Sequence, residues 1–452
     1  YDIAQCLVGS EMCIRDRYWT SAYNAIAVAN HALEAIEQLP DPGAASLQKG
    51  EALLARAYAH FCLLTLFADF FDTNNLAANP GIPYVTEPET VVIKHYDRET
   101  AAQTLEHVLK DLEEGMQLVG GSSDYDQPKF HFTRDAAAAL GARIALFSRN
   151  YNDVIRYANM LLPTPTQHFA LSYTDDTPVL NADGSPAQGV DPNDAADQFM
   201  RSNLHDWRTY IKSGNPDQMG TDFTSASANA NLLLTECVTL AYREMVGTAY
   251  VRHAMERTAM VTLLTENVTG DPWIFQNVAY QWNGGRTYWL PKFYEDFKID
   301  NPVAQTGVPY SKCALLRLEE VLLARAEAYA MLGNYDGALD DLNMFAACRI
   351  DDYAYGPNTL YKDKLTDYYT AQLNAPDHFI NSAYNAGRFK AGDEGNVQKA
   401  LILTVLDFRR IEFLYEGIRY WDVLRWNIPV THTTIDGATS TPVSYTHLRA
   451  HE

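Results

Sequence analysis

Positive charge is scarce in this chain: 35 lysines and arginines stand against 57 acids in 452 residues, a formal net charge of −22. Nucleic-acid backbones and anionic lipid headgroups are gripped by clustered Lys and Arg, so the composition argues against both as partners. Uncharged ligands stay open. Cysteine is also sparse. Cys6, Cys13, Cys62, Cys237, Cys313 and Cys348 make no C-x-x-C pair and stand at no zinc-finger spacing from a histidine, so spacing indicates neither a metal site nor a disulfide framework. Long apolar runs are missing as well. The nearest, residues 52–71, is interrupted by Arg56, His60 and Asp69, and no membrane-spanning helix is expected.

Catalytic signatures are absent too: there is no G-x-S-x-G, H-E-x-x-H, Walker loop or dinucleotide fingerprint. His205-Asp206 is a lone adjacent pair, read as a local hydrogen bond, and Glu319-Glu320 can be answered by Arg317 and Arg325. Asp183, Asp191, Asp194 and Asp197 invite a calcium reading. Asn181-Ala182-Asp183-Gly184 lacks the preceding acid and terminal glutamate of an EF-hand, so hydrated turn acids, no metal and no cofactor are expected. Two carboxylates set for glycoside hydrolysis stay possible in principle, since their separation is invisible in sequence.

What the chain has in plenty is helical periodicity and aromatic mass, with 28 Tyr, 7 Trp and 47% hydrophobic residues. Trp19, Tyr23, Ile26, Asn30, Leu33 and Ile36 step by three and four up to Pro40-Asp41-Pro42-Gly43. A partner helix carries Leu54, Tyr58, Phe61 and Leu64 on one face. Asp97 is expected to cap the next helix and Thr133 the one after. ARIALFSRNYNDVIRYANML and AEAYAMLGNYDGALDDLNMF read alike, small and apolar residues on paired helices with Tyr151 or Tyr335 opening the second. That resembles the tetratricopeptide pattern, in which hairpins must stack to bury their faces, and about four hairpins are expected. Between residues 163 and 312 the period fades, with short strands such as 286–290.

Residues 409–426, RRIEFLYEGIRYWDVLRW, read as one helix on which Arg409, Glu412, Glu416, Arg419, Asp422 and Arg425 form a ladder of alternating charge beside an apolar stripe of Ile411, Leu414, Ile418, Trp421 and Leu424. Buried ions persist only when paired, so the ladder is expected to be a structural clamp and not a catalytic site. The segment resembles the closing motif of the SusD/RagB family. Arg409, Arg410, Glu412, Glu416, Gly417, Arg419, Tyr420, Trp421, Asp422, Arg425 and Trp426 match it, whereas Phe408 stands where an acid is usual and Phe413 where a Leu is. Residues 315–343, 51–67 and 98–118 resemble further helices of that family in the same order.

The resemblance implies a mainly α fold, tetratricopeptide-like hairpins forming a scaffold, with a large irregular loop-rich region and a few short strands. It divides the chain into a helical part at 18–162, an excursion at 163–312 and a second helical part at 313–432. Residues 1–17, including CLVGSEMCIRDR, and 443–452, VSYTHLRAHE, look like translated adapter sequence and are expected to be non-native, the natural N-terminus with any export signal then being lost.

The excursion sets Trp207, Tyr210, Trp273, Tyr280, Trp282, Tyr288 and Trp289 among amides and guanidinium groups. Sugars present apolar C–H faces and hydroxyls, so flat rings interleaved with hydrogen-bonders suit a glycan site. Most of these rings, each taken singly, are expected to fill the core beneath the loops; as a set, one or two should be exposed. Asn74 and Asn75 are further candidates, since the corresponding loop in relatives can touch ligand, against the plainer reading of a capped turn. The family resemblance implies a non-enzymatic protein, lipid-anchored on the outer face of the outer membrane, that binds an oligosaccharide or other nutrient and delivers it to a TonB-dependent SusC-like transporter. The alternatives are an all-helical glycoside hydrolase and a helical-repeat scaffold for a protein partner.

Overall fold

Alternating small and large apolar residues at helical spacing leave one face of each helix dry only when a neighbour covers it, and the chain answers with helical pairs. The computed structural model describes residues 3–71, 73–89, 94–163, 192–238, 255–281, 287–354, 356–374, 380, 385–436 and 439–445. It is mainly α, with small antiparallel sheets, and falls into two units, Tyr1–Asn150 and Tyr151–Glu452.

The first unit is helices α1 (Ile3–Glu37), α2 (Ser46–Phe67), α3 (Ala101–Leu118) and α4 (Arg134–Phe147). The backbone of α1 runs through Cys6–Arg17, the stretch read as adapter-like. Thr133 caps α4, accepting from the N–H of Ala136 at 3.3 Å. The cap of α3 is Thr100, not Asp97: its hydroxyl accepts from Gln103 N–H while Gln103 reaches back to Thr100 N–H, a reciprocal pair that Asp97 lies too far upstream to make.

Helices α2 and α3 meet where neither has a side chain. A Cβ on Gly50 would stand 2.9 Å from the carbonyl oxygen of Gly115, and one on Gly115 would stand 2.9 Å from that of Gly50. Beside this crossing Arg56 clamps Asp111 with Nε at 2.6 Å and Nη2 at 2.8 Å, and gives Nη1 to Asn30 of α1 at 3.0 Å. One guanidinium thus ties three helices.

In the second unit α5 (Tyr151–Leu161) packs on α10 (Leu318–Leu332), which pairs with α11 (Tyr335–Arg349), and α12 (Lys362–Asn374) pairs with α13 (Gly392–Glu412). The excursion is more regular than its sequence reads. It holds α6 (Pro192–Asn203), the single turn α7 (Trp207–Tyr210), α8 (Pro216–Phe223) and α9 (Arg257–Thr265). Strand β1 (Asn231–Val238) and β5 (Glu295–Asn301) flank β6 (Thr306–Arg317), all antiparallel, while β2 (Met255–Glu256) and β3 (Tyr280–Gln281) flank β4 (Thr287–Trp289).

The single helix expected over 409–426 is two. α13 ends at Glu412 and α14 (Ile418–Trp426) begins after Gly417, with Tyr415 at φ 68° and Gly417 at φ 78°. Left-handed backbone at two positions cannot continue a right-handed helix, so the ladder turns a corner there. Strands β7 (Val430–Asp436) and β8 (Thr439–Tyr445) then form a hairpin.

Candidate functional site

The corner redirects the six charges expected to answer one another. Arg425 binds Asp422 at 2.9 Å, as the spacing suggested, but it also forks onto Glu327 of α10, Nη2 to Oε2 at 2.6 Å, and Asp422 takes Arg409, thirteen residues back and off the expected ladder, at 2.9 Å. Glu412 takes Arg349 at 2.9 Å and Arg317 at 3.2 Å, while Glu416 takes Arg317 at 2.9 Å and Lys292 at 2.7 Å. Arg419 donates to the carbonyl of Leu406 at 3.3 Å from a half-buried position. Glu319 closes the group, accepting from Arg349 at 3.0 Å and from His205, ring and backbone, at 2.8 and 2.7 Å. His205 is thus joined to Glu319 across the fold and not to Asp206, which caps α7 instead. Arg325, expected to answer Glu319-Glu320, binds Asp341 at 2.7 Å.

Burial alone would raise the carboxyls of Glu319 and Glu412; the cations around each outweigh it and hold both below the usual range. Three cations, Lys292, Arg317 and Arg349, balance three carboxylates, Glu319, Glu412 and Glu416, an arrangement that ties helix ends to strand ends. The residues at odds with the family motif fill the same region with rings. Phe408 meets Trp273 edge-on at 5.3 Å, and Phe413 lies 4.9 Å below Arg317.

The aromatic set of the excursion divides by depth. Trp207 and Trp273 are 0% exposed and Trp289 7%, so none of these three offers an open shelf. Trp207 is packed by Phe223 and Phe275 at 5.5 and 5.0 Å, and Trp273 by Phe345 and Phe408. That overturns the expectation of platforms at these positions: apolar rings next to a helical scaffold gain more from its core than from water. Tyr210 and Tyr288 are half-buried, and Tyr288 gives its carbonyl to the Tyr415 hydroxyl. Tyr280 lies in β3, its side chain outside the described residues, as Trp282 is entirely. Asn74 and Asn75 are exposed in a turn where the Asn75 carbonyl accepts from Ala78 and Asn79, each at 2.8 Å. Of the aspartates read against calcium, Asp183 and Asp191 lie outside the described residues and Asp197 pairs with Arg208; among the described residues no cluster could hold a metal ion.

A cavity of about 360 Å³ opens instead in the first unit, within the range of about 300–1,000 Å³ usual for small-ligand sites. One wall is α1, with Trp19, Tyr23 and Asn24; the other is the segment after Pro83, with Glu87, Glu89, Lys94 and Tyr96. Trp19 is braced edge-on by Phe67 at 5.0 Å and stands 4.9 Å from the ring of Tyr23. The Tyr23 hydroxyl donates to the Pro83 carbonyl at 2.8 Å, which joins the two walls. Burial pushes the Tyr23 phenol up, and burial with the carboxylates of Glu89 and Glu87 does the same to Tyr96, so both stay neutral.

Behind this wall His60 donates from Nδ1 to the Arg56 carbonyl at 2.9 Å and accepts from Val85 N–H on Nε2 at 3.1 Å, stacked on Tyr84 at 3.9 Å. The site was missed in sequence because Trp19 and Tyr23 sit on the apolar stripe of α1, where rings read as core. Thr20 and Asn24 next to them were the available signal.

Residues 166–447 match the model of the SusD family, and residues 10–146 match one described as starch-binding, associating with outer membrane. The chain belongs to the SusD family. Among solved structures it is similar to a SusD superfamily protein from Bacteroides thetaiotaomicron, 18% identical with TM-score 0.57, the match covering 95% of this chain and 77% of that one. It is also similar to a SusD-like carbohydrate binding protein from Bacteroides vulgatus, 15% identical with TM-score 0.53 over 94% and 75%. A third is a laminarin binding SusD-like protein, 16% identical with TM-score 0.51 over 90% and 77%. These SusD relatives share the fold at low identity. No curated protein matches the chain.

Proposed function

We propose that this chain binds an oligosaccharide without cleaving it, at the outer face of the outer membrane where a lipid anchor would hold it, and delivers it to a TonB-dependent SusC-like transporter. The observation that carries the binding step is the cavity between α1 and the segment after Pro83. The Trp19 and Tyr23 rings give a sugar's C–H face an apolar surface, while Asn24 and Lys94 donate to hydroxyls and Glu87 and Glu89 accept from them. Membership of the SusD family, and the carbohydrate- and laminarin-binding relatives, support the ligand class. Asn74 and Asn75 of the first unit, and separately Tyr210, Tyr280, Trp282 and Tyr288 of the second, are proposed as contacts for sugar within their own units.

Titration calorimetry with starch- and laminarin-derived oligosaccharides tests the proposal. Trp19→Ala is expected to weaken affinity roughly tenfold, about 1.4 kcal/mol, and Trp282→Ala, run in parallel, reports on the second unit. No heat from any glycan of the panel would reject the reading. Release of new reducing ends would replace it with hydrolysis.

A further inference from the structure

Two cysteines that are 76 residues apart in the chain come together on the central sheet of the second unit. In the antiparallel register of β1 and β6, Cys237 faces Ser311 and Thr235 faces Cys313. Residues two apart on a strand point to the same side, so Cys237 and Cys313 are diagonal neighbours on one face. Their sulfurs are 2.9 Å apart, less than about 1 Å beyond the covalent S–S length of about 2.05 Å. Cys62 and Cys348, by contrast, are buried free thiols in helices.

We propose that Cys237 and Cys313 are a disulfide-forming pair, oxidised by a small-molecule or protein disulfide and thereby cross-linking β1 to β6. The bond would close the chain between them, which carries α9, β2, β3, β4 and the buried Trp273 and Trp289. The hydrogen bond from Cys313 pulls the Cys237 thiol down to about 7, so Cys237 supplies a thiolate at neutral pH. The same bond and burial push Cys313 up, which leaves it protonated and second to react. Both thiols are half-buried, not sealed.

The chemistry balances. Cys237 thiolate attacks one sulfur of the oxidant R–S–S–R, forms a mixed disulfide and releases RS⁻. Cys313 then loses its proton, attacks the Cys237 sulfur and expels the second RS⁻. Two protein thiols are oxidised, one disulfide is reduced, and the two protons end on the released thiols. The inference draws nothing from the ligand reading and can fail or succeed apart from it.

The full chain, folded and pre-reduced, is incubated with oxidised glutathione, blocked with iodoacetamide, digested and mapped by mass spectrometry. A peptide linking Cys237 to Cys313, lighter by two hydrogens than the reduced pair, is expected. In Cys313→Ser, glutathione should remain on Cys237, since no thiol is placed to displace it. Carbamidomethyl groups on both Cys237 and Cys313 in protein with a native circular dichroism spectrum would overturn the proposal. So would linkage of either to Cys6 or Cys13 in place of each other.

Discussion

His60 uses both ring nitrogens on backbone groups, one as donor and one as acceptor, and only the neutral ring can do that. Burial, with Arg56 near, pulls its pKa down to about 4 from 6.5. The sign follows. Between those values the unfolded chain takes up a proton that the folded chain refuses, so stability is full above about 6.5 and falls as pH drops toward 4. The loss is of the order of 3 kcal/mol. Because Val85 lines the cavity, its wall depends on the same neutral ring. Urea melts followed by tryptophan fluorescence at pH 7.5 and pH 5 should show about 2 kcal/mol of that loss in the parent protein and little of it in His60→Gln.

Residue identity likewise ranks the clamp. Arg349 is buried between Glu319 and Glu412, so Arg349→Ala takes a cation from both, leaves Arg317 to serve them and Glu416 together, and unbalances a buried cluster by one charge; it is expected to cost roughly 3–5 kcal/mol. Arg419, half-buried and held to a carbonyl, should cost less, whereas the alternating ladder read from sequence made it an equal member. Equal melting temperatures for Arg349→Ala and the parent would show the cluster to be solvated.

At the scale of elements, the crossing of α2 and α3 sets a prediction by competition. Alanine in place of Gly115 gains up to about 1 kcal/mol of helix propensity. Its Cβ meets Leu54 at 2.8 Å and the Gly50 carbonyl at 2.9 Å, and a backbone oxygen cannot step aside. Overpacking of that kind costs about 1–3 kcal/mol, so Gly115→Ala should lower the melting temperature. A rise would mean that the helices part easily. Helix existence was legible because period and caps are local: Thr133 and the four helices of the first unit follow from their own residues. The break at 413–417 was less so, since the charge period runs on through Glu416 and Arg419 with a single Gly417 between them, and it is the left-handed backbone at Tyr415 and Gly417 that ends the helix.

Across the whole molecule, the mainly α architecture and family membership could be read from sequence, because buried faces must repeat at the helical period and the closing motif is dense in matches. Depth could not. Trp19, midway along α1, and Trp207, at the start of α7, both have polar neighbours in sequence, yet one faces a cavity and the other is covered by Phe223 and Phe275. Nor could partners: Arg317, Arg349 and Lys292 reach the acids of residues 412–416 from far along the chain, and Cys237 reaches Cys313. Local periodicity fixes which residues share a face. What covers that face, and which charge or sulfur stands opposite, depends on elements distant in sequence and is settled only when they pack.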